Sequence, residues 1–237
     1  MDSAISAISY SDNTLVQSAV TNAEQVVFKS DKQFLANVAT NRISTEIDSA
    51  AISEHGQKLN SYYKKLEEDN DDSAISGMRF AVRHLASKSN DEPINNFMKL
   101  AQELDIKESQ TKPDSTQDSY FKRMFSDVTE IRDKNLDAGK WVEAVSNLNN
   151  IENADNIEIE KSFMDTAKKI VDQETLDRDL QRETFNKFIS ITNTLSNDPS
   201  RQADIPEFFD SVLNNTNLDE IKSSIDSYAY NMVNRTR

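Results

Sequence analysis

Residues 120–131 read YFKRMFSDVTEI, and their large apolar side chains recur mostly at steps of three and four positions. That spacing places Phe121, Met124, Phe125 and Val128 on one face of an α-helix, the pattern of a helix that buries a single stripe. Similar spacing recurs before and after this stretch. The sequence therefore predicts an all-α fold, a helical bundle.

The scarcity of glycine supports the same fold class. The chain has 3 Gly and 4 Pro in 237 residues, whereas hairpins and tight βα turns usually need residues that tolerate positive φ. Asn and Asp can replace Gly at some of these turns. Gly56, Gly77 and Gly139 stand alone, so neither a phosphate-binding loop nor a dinucleotide fingerprint can be formed.

Composition shifts divide the chain into four regions. The Ser-rich residues 1–12 are predicted to be a disordered N-terminus, and 13–106 an N-terminal helical region. Residues 107–119 contain no apolar side chain and include Pro113, which is typical of a linker. Residues 120–237 are predicted to form a C-terminal helical domain, so that the bundle consists of two helical subdomains.

Within the C-terminal region, the apolar spacing of Leu176, Leu180 and Phe185 predicts a long helix that begins near Gln173. The sequence Asn197-Asp198-Pro199 is expected to end it, because the residue before a proline disfavours helical geometry.

Charge and cysteine content exclude several kinds of site. The net charge of −14 opposes binding to nucleic acid or to anionic membranes. The absence of cysteine excludes disulfides, thiolate zinc sites and cysteine nucleophiles.

No apolar run approaches the roughly 18 residues of a membrane span, and the N-terminus lacks the features of a secretory signal. We expect a protein without membrane insertion that is cytoplasmic or leaves the cell by a signal-independent route.

One segment has the composition of a calcium loop. Residues 133–139 read DKNLDAG, with oxygen-bearing side chains at Asp133, Asn135 and Asp137, the first, third and fifth positions of an EF-hand. Gly139 stands one place late, and Glu143 stands one place before the position of the bidentate acid. The candidate calcium ligands are therefore Asp133, Asn135, Asp137 and Glu143. The alternative is an Asx-rich turn between two helices.

Trp141 follows this segment near the start of a predicted helix. An indole at such a position can anchor a domain core, and it can also anchor a protein–protein interface. Both interpretations remain open from the sequence.

Little in the chain indicates catalysis. The only histidines are His55 and His84, and neither has a Glu three residues before it, as di-metal carboxylate bundles require. Pairs of acidic residues are expected by chance among 41 Asp and Glu. A carboxylate-based metal enzyme inside a helical bundle nevertheless stays an alternative.

Residues 47–59 read IDSAAISEHGQKL. This stretch resembles the Asp-x-x-x-Ile-Ser-x-x-Gly-x-x-Leu segment found in many bacterial flagellar-cluster and type III-exported proteins. The uncharged, Ser-rich N-terminus and the lack of cysteine are similar to such proteins as well. The resemblance implies a helical protein linked to export or to the assembly of a surface appendage, and it carries no functional residues across.

The leading hypothesis is therefore a non-enzymatic protein that presents a helical groove or face to another protein, in a bacterial export or appendage system. A calcium-binding helical module and a carboxylate-based metal enzyme are the alternatives. The sequence does not indicate the oligomeric state.

Overall fold

The computed structural model describes residues 59, 61–89, 92–110, 119–149, 151 and 156–234. Lys65–Arg237 form one compact unit. The disordered N-terminus predicted for residues 1–12, the helices expected from Asn13 to about residue 58, and nearly all of the stretch that resembles exported proteins lie outside the described residues.

Consecutive helices make up the described part of this unit, and no strand occurs in it, so the all-α prediction is confirmed there. The α-helices are α1 (Asp72–Ala86), α2 (Glu92–Gln110), α3 (Tyr120–Asp133), α4 (Ala138–Leu148), α5 (Asn156–Val171), α6 (Arg178–Ser196), α7 (Ile205–Leu213) and α8 (Leu218–Asn234). A short 3-10 turn, Gln202–Asp204, precedes α7, and residues 61–68 are helical as well. None of the described helices carries an apolar stretch of the length that crossing a bilayer requires.

Short polar side chains fix where several helices begin. Asp71, Ser119, Asp137 and Asp177 each accept a hydrogen bond from the backbone N–H three residues further on. Such a cap satisfies one of the N–H groups that have no partner inside the helix. These residues explain the starts of α1, α3, α4 and α6 by local chemistry alone.

Aromatic rings fill the core around α4. Trp141, Phe163, Phe188, Phe208 and Phe209 have no exposed surface. Phe163 stacks on Phe188 with ring centroids 5.5 Å apart, and Phe188 lies 5.6 Å from Phe208. Aromatic pairs at these distances add specific geometry to the large apolar area that they bury.

The short helix α4 occupies the centre of the unit, because it contacts α1, α2, α3, α5 and α6. Its length is 11 residues, of which all but Lys140, Glu143 and Asn147 are buried. These three polar residues mark the face of α4 that stays accessible, and this face lies beside α6.

The two-subdomain division differs from the structure at the linker. Helix α2 continues to Gln110, so residues 107–110 are helical, and 111–118 lie outside the described residues. Helix α2 also packs on α3, α4 and α5, through buried side chains such as Phe97 and Leu104. Helices on both sides of the predicted linker thus share one core, because the apolar stripe of α2 is covered by the helices that follow.

The start of α6 was predicted too early. The helix begins at Arg178, where the Asp177 carboxylate caps it, and not near Gln173. Leu176 consequently lies outside the helix and is fully exposed. The apolar spacing of Leu176 and Leu180 extended the prediction past a cap that local hydrogen bonding imposes.

Candidate functional site

The turn between α3 and α4 contains two of the four predicted calcium ligands, Asn135 and Asp137, and Asp133 is the last residue of α3. Asn135 has φ of 57°, in the left-handed region. Its N–H donates to the Arg132 carbonyl at 2.9 Å, and the Leu136 N–H donates to the Ile131 carbonyl at 2.9 Å. This is the Schellman arrangement that closes a helix C-terminus, and Asn is one of the few residues that adopts its left-handed position readily. Asn135 therefore ends α3.

Asp137 has an equally local role. Its Oδ1 accepts from the Lys140 backbone N–H at 3.0 Å, and its Oδ2 lies 3.3 Å from the Lys140 Nζ. The side chain caps α4 and is partly neutralised by that ammonium group. Asp133, the first residue of the predicted calcium loop, is exposed at the end of α3.

Glu143 faces α1 and not the turn. Its Oε1 lies 2.7 Å from Nε2 of His84, and it also pairs with Lys88. Partial burial acts to raise the pKa of Glu143, but the hydrogen bonds from Lys88 and His84 outweigh it and hold the pKa below its ordinary value. In the described part of the chain, no three His, Asp or Glu side chains are grouped as a metal site.

A cavity of about 580 Å³ opens beside this turn. Its wall combines two guanidinium groups, an imidazole, an aromatic ring and three polar side chains: Phe80, His84, Arg132, Asn135, Asp137, Arg182 and Asn186. A volume of a few hundred Å³ is sufficient for a small molecule or for one or two residues of a bound peptide. We call this the cationic cavity.

Phe80 organises one side of the cationic cavity. The ring of His84, one turn further along α1, stacks on it with centroids 5.9 Å apart and 8° between the planes. The Arg132 guanidinium lies 5.0 Å from the Phe80 centroid. A flat guanidinium above an aromatic face gains a cation–π attraction and keeps its N–H edge available.

Gly139 allows His84 to approach α4. A Cβ atom built at Gly139 would stand 2.7 Å from Cε1 of His84, well inside van der Waals contact. The hydrogen atom of glycine at this position therefore lets the imidazole lie against the first turn of α4 while it pairs with Glu143.

A second cavity of about 520 Å³ follows along α6. Asn186 lines both cavities. The wall of the second contains Lys140 and Glu143 from α4 together with polar residues of α6 and its C-terminus: Asn186, Ser190, Asn193, Thr194, Asn197 and Asp198. We call the two cavities together the α4–α6 groove.

The α6 wall of the groove carries a row of hydrogen-bonding side chains. Asn186, Ser190, Asn193 and Asn197 follow each other at steps of four, three and four residues, which places them on one stripe of the helix. The Asn147 amide of α4 donates to Oδ1 of Asn193 at 3.0 Å, which links the side chain of Asn193 to α4. The amide oxygen of Asn186 is buried and accepts no hydrogen bond within the described part of the chain.

Trp141 lies in the core and not at the groove. Its side chain has no exposed surface and its ring centroid lies 6.0 Å from that of Phe163. A side chain without exposed surface offers no contact to a partner in this conformation, so the structure favours the core interpretation over the interface anchor.

The sequence did not indicate that the carboxyl group of Asp127 is buried. Asp127 on α3 is 5% exposed, and its Oδ2 lies 3.7 Å from Nη2 of Arg123. Burial raises the pKa of Asp127 to about 7, although the positive charges of Arg123 and Lys168 act against the shift. A perturbed carboxyl can mark a functional site, but Asp127 lines neither cavity of the groove.

Part of the site could be predicted from the sequence, although for other reasons. Asn135, Asp137 and Glu143 do line the two cavities, where they serve as helix caps and in an ion pair. The α6 stripe was not predicted, although its spacing of polar residues along a long helix is visible in the sequence. The common cavity of Arg132 and Arg182 could not be predicted, because 50 residues separate them in the chain.

Comparison of the chain with family models, with curated proteins and with solved structures finds no match. The proposals that follow therefore depend on the geometry and chemistry of the groove itself.

Proposed function

We propose that this chain is a non-enzymatic protein-binding module that takes an extended segment of another protein into the α4–α6 groove. The observation that supports it most directly is the stripe of Asn186, Ser190, Asn193 and Asn197 along the groove wall. An asparagine side chain presents a carbonyl acceptor and N–H donors, so it is complementary to the C=O and N–H of a peptide bond. It can therefore pair with the backbone of a bound peptide whatever the peptide's side chains are.

The length of the stripe suits an extended peptide. Asn197, the C-cap of α6, follows Asn186 by eleven positions, which corresponds to about 16 Å along the helix axis. An extended chain rises about 3.3 Å per residue, so the stripe matches roughly five residues of peptide. A hydrogen-bonding wall of this length supports recognition of a segment more than recognition of a compact small molecule.

The resemblance of residues 47–59 to bacterial flagellar-cluster and type III-exported proteins supports a partner within an export or appendage system. The groove proposal does not depend on that resemblance. It rests on the side chains that line the two cavities, and most directly on the stripe along α6.

The test is selection from a displayed library of random 12-residue peptides on the full chain, followed by fluorescence polarisation with labelled, C-terminally amidated copies. The double variant Asn193→Ala/Asn197→Ala removes two amides of the stripe. We expect it to weaken the selected peptides about tenfold or more, since each lost hydrogen bond costs about 0.5–1.5 kcal/mol.

The matched control is Asn231→Ala/Asn234→Ala, which removes two exposed amides of α8 outside the groove. It should bind the peptides as the wild type does. A library that yields no binding peptide, or peptides that bind equally well to Asn193→Ala/Asn197→Ala, would refute the proposal. Thermal unfolding of both variants shows whether they keep the fold.

A further inference from the structure

The cationic cavity carries positive charge although the chain as a whole is negatively charged. The protein has a net charge of −14, yet two guanidinium groups, those of Arg132 and Arg182, line the same cavity. The carboxylate in the wall, Asp137, is already bonded to the Lys140 N–H and lies near its ammonium group. The charges that remain available to a bound group are therefore positive.

Arg132 is held in place without a carboxylate partner. Its guanidinium lies over Phe80, and none of the ion pairs among the described residues includes it. Stacking on a ring orients a guanidinium but satisfies none of its five N–H donors. An oriented arginine with unused donors is suited to a planar, bidentate acceptor such as a carboxylate.

Arg182 is only weakly engaged. Its Nη1 pairs at 3.0 Å with Asp179, whose side chain is 91% exposed, and its Nε donates to the Asn135 carbonyl at 3.4 Å. An ion pair with a carboxylate so open to solvent contributes little. A ligand carboxylate could therefore compete for this guanidinium.

The third basic group, His84, is fixed by other contacts. Glu143 binds its Nε2 and Gly139 lies beneath its ring. The imidazole therefore shapes the wall of the cavity, while the two arginines provide the attraction for an anion.

From this arrangement we infer that the cationic cavity is a subsite for one acidic side chain of the bound segment, with Arg132 as its principal ligand-binding residue and Arg182 as the second. The inference rests on the proposed function, because the cationic cavity is part of the groove and shares Asn186 with the second cavity. It adds a specificity: the groove accepts peptide backbone generally, and the cavity selects Glu or Asp at one position.

The experiment uses the peptides selected on the full chain. Each position is replaced in turn by Glu and by Gln, which differ in charge but hardly in size, and all peptides are amidated so that the C-terminus carries no carboxylate. Affinities are measured for the wild type, for Arg132→Gln and for Arg83→Gln. Arg83 is an exposed arginine of α1 that does not line the cavity. Arg83→Gln therefore removes one positive charge, as Arg132→Gln does, but from outside the cavity.

We expect one position at which Glu binds the wild type and Arg83→Gln about tenfold more tightly than Gln, the size of effect typical of a hydrogen bond to a charged group. In Arg132→Gln the preference for Glu should fall to at most about twofold to threefold, because only the exposed Arg182 guanidinium remains. The affinity for the Gln peptide should be unchanged. The preference in the wild type should also decrease as salt is added, because ions screen the attraction.

The outcomes separate the two proposals. Peptides that bind through the stripe but show no preference for Glu at any position would overturn the subsite and leave the proposed function standing. A preference for Glu that is as large in Arg132→Gln as in the wild type, or that appears only with a free C-terminal carboxylate, would also overturn the subsite. If no peptide binds the wild type, both proposals fail.

Discussion

Gly77 of α1 lies directly against the backbone of Phe125 in α3. A Cβ atom built on Gly77 would stand 1.8 Å from the Phe125 carbonyl oxygen and 2.8 Å from its carbonyl carbon. Only a hydrogen atom fits between the two helices at this point. This contact sets how closely α1 packs on α3, and thereby where α1 presents Phe80 and His84 to the cationic cavity.

We expect Gly77→Ala to destabilise the protein by about 3 kcal/mol, because the helices must move apart or bend to admit a methyl group against backbone atoms. Alanine would favour an isolated helix by about 1 kcal/mol over glycine, so the sign of the effect distinguishes packing from propensity. The measurement is urea-induced unfolding. Ser73→Ala, an exposed position of the same helix, is the control and should change the stability little. A Gly77→Ala variant as stable as the wild type would contradict the close approach.

The helices of the described region could largely be predicted from the sequence, because each buries a stripe whose residues recur every three or four positions. Phe121, Met124, Phe125, Val128 and Ile131 are all buried, as the spacing in residues 120–131 indicated. The ends of the helices were harder to predict from the sequence. The Asp177 cap and the exposed Leu176 show that a hydrogen bond of one side chain decides a boundary that apolar spacing alone extends.

The relations between helices could not be predicted from the sequence. Gly77 stands alone in the sequence, and nothing near it indicates that a carbonyl group 48 residues later lies against it. The same holds for Arg132 and Arg182, whose common cavity depends on how α3, α4 and α6 pack. The EF-hand-like pattern failed to indicate roles for Asn135 and Asp137 because Asn and Asp are also the residues that end and begin helices.

The stability of the protein should depend on pH through Asp127. Burial raises the pKa of this carboxyl from an ordinary 3.8 to about 7. The folded state then binds more protons than the unfolded chain between these values, so stability is lost as the pH rises through that window. We expect Asp127→Asn to be more stable than the wild type by roughly 1–3 kcal/mol at pH 8, with the difference shrinking towards pH 4.

Urea unfolding at a series of pH values measures this difference. Asp133→Asn changes the net charge by the same amount on the exposed end of the same helix, so it separates the local effect from a general one. The groups near Asp127 are Arg123, Lys168, Glu130 and Asp172, and none of them is altered by the substitution. If the stability difference between Asp127→Asn and the wild type grows towards low pH instead, the predicted direction of the pH dependence is wrong.

Trp141 is the only tryptophan of the chain, so intrinsic fluorescence reports on it alone. Because its side chain has no exposed surface and packs beside Phe163, we expect short-wavelength emission that acrylamide and iodide barely quench until the protein is unfolded. Trp141→Ala should cost about 3–5 kcal/mol through the cavity that it leaves. Emission typical of an indole in water, with full quenching in the folded state, would restore the interface interpretation.

Asn135 distinguishes a helix cap from a calcium ligand. A position with φ of 57° favours glycine over every residue with a side chain, so we expect Asn135→Gly to keep or slightly raise the stability. Asn135→Ala should lower it by about 1 kcal/mol, since an ordinary side chain crowds the left-handed conformation. Thermal or urea unfolding measures both variants.

The calcium interpretation makes the opposite prediction for Asn135→Gly, because loss of a ligand oxygen would weaken calcium-dependent stabilisation. We expect calorimetric titration of the wild type with calcium to give no binding heat and no shift of the melting temperature. The reason is that Asp137 already caps α4 and Glu143 already pairs with His84 and Lys88, so a bound ion would have to break a cap and an ion pair to gather its ligands. Saturable heat that Asn135→Gly abolishes would show that the turn rearranges around calcium after all.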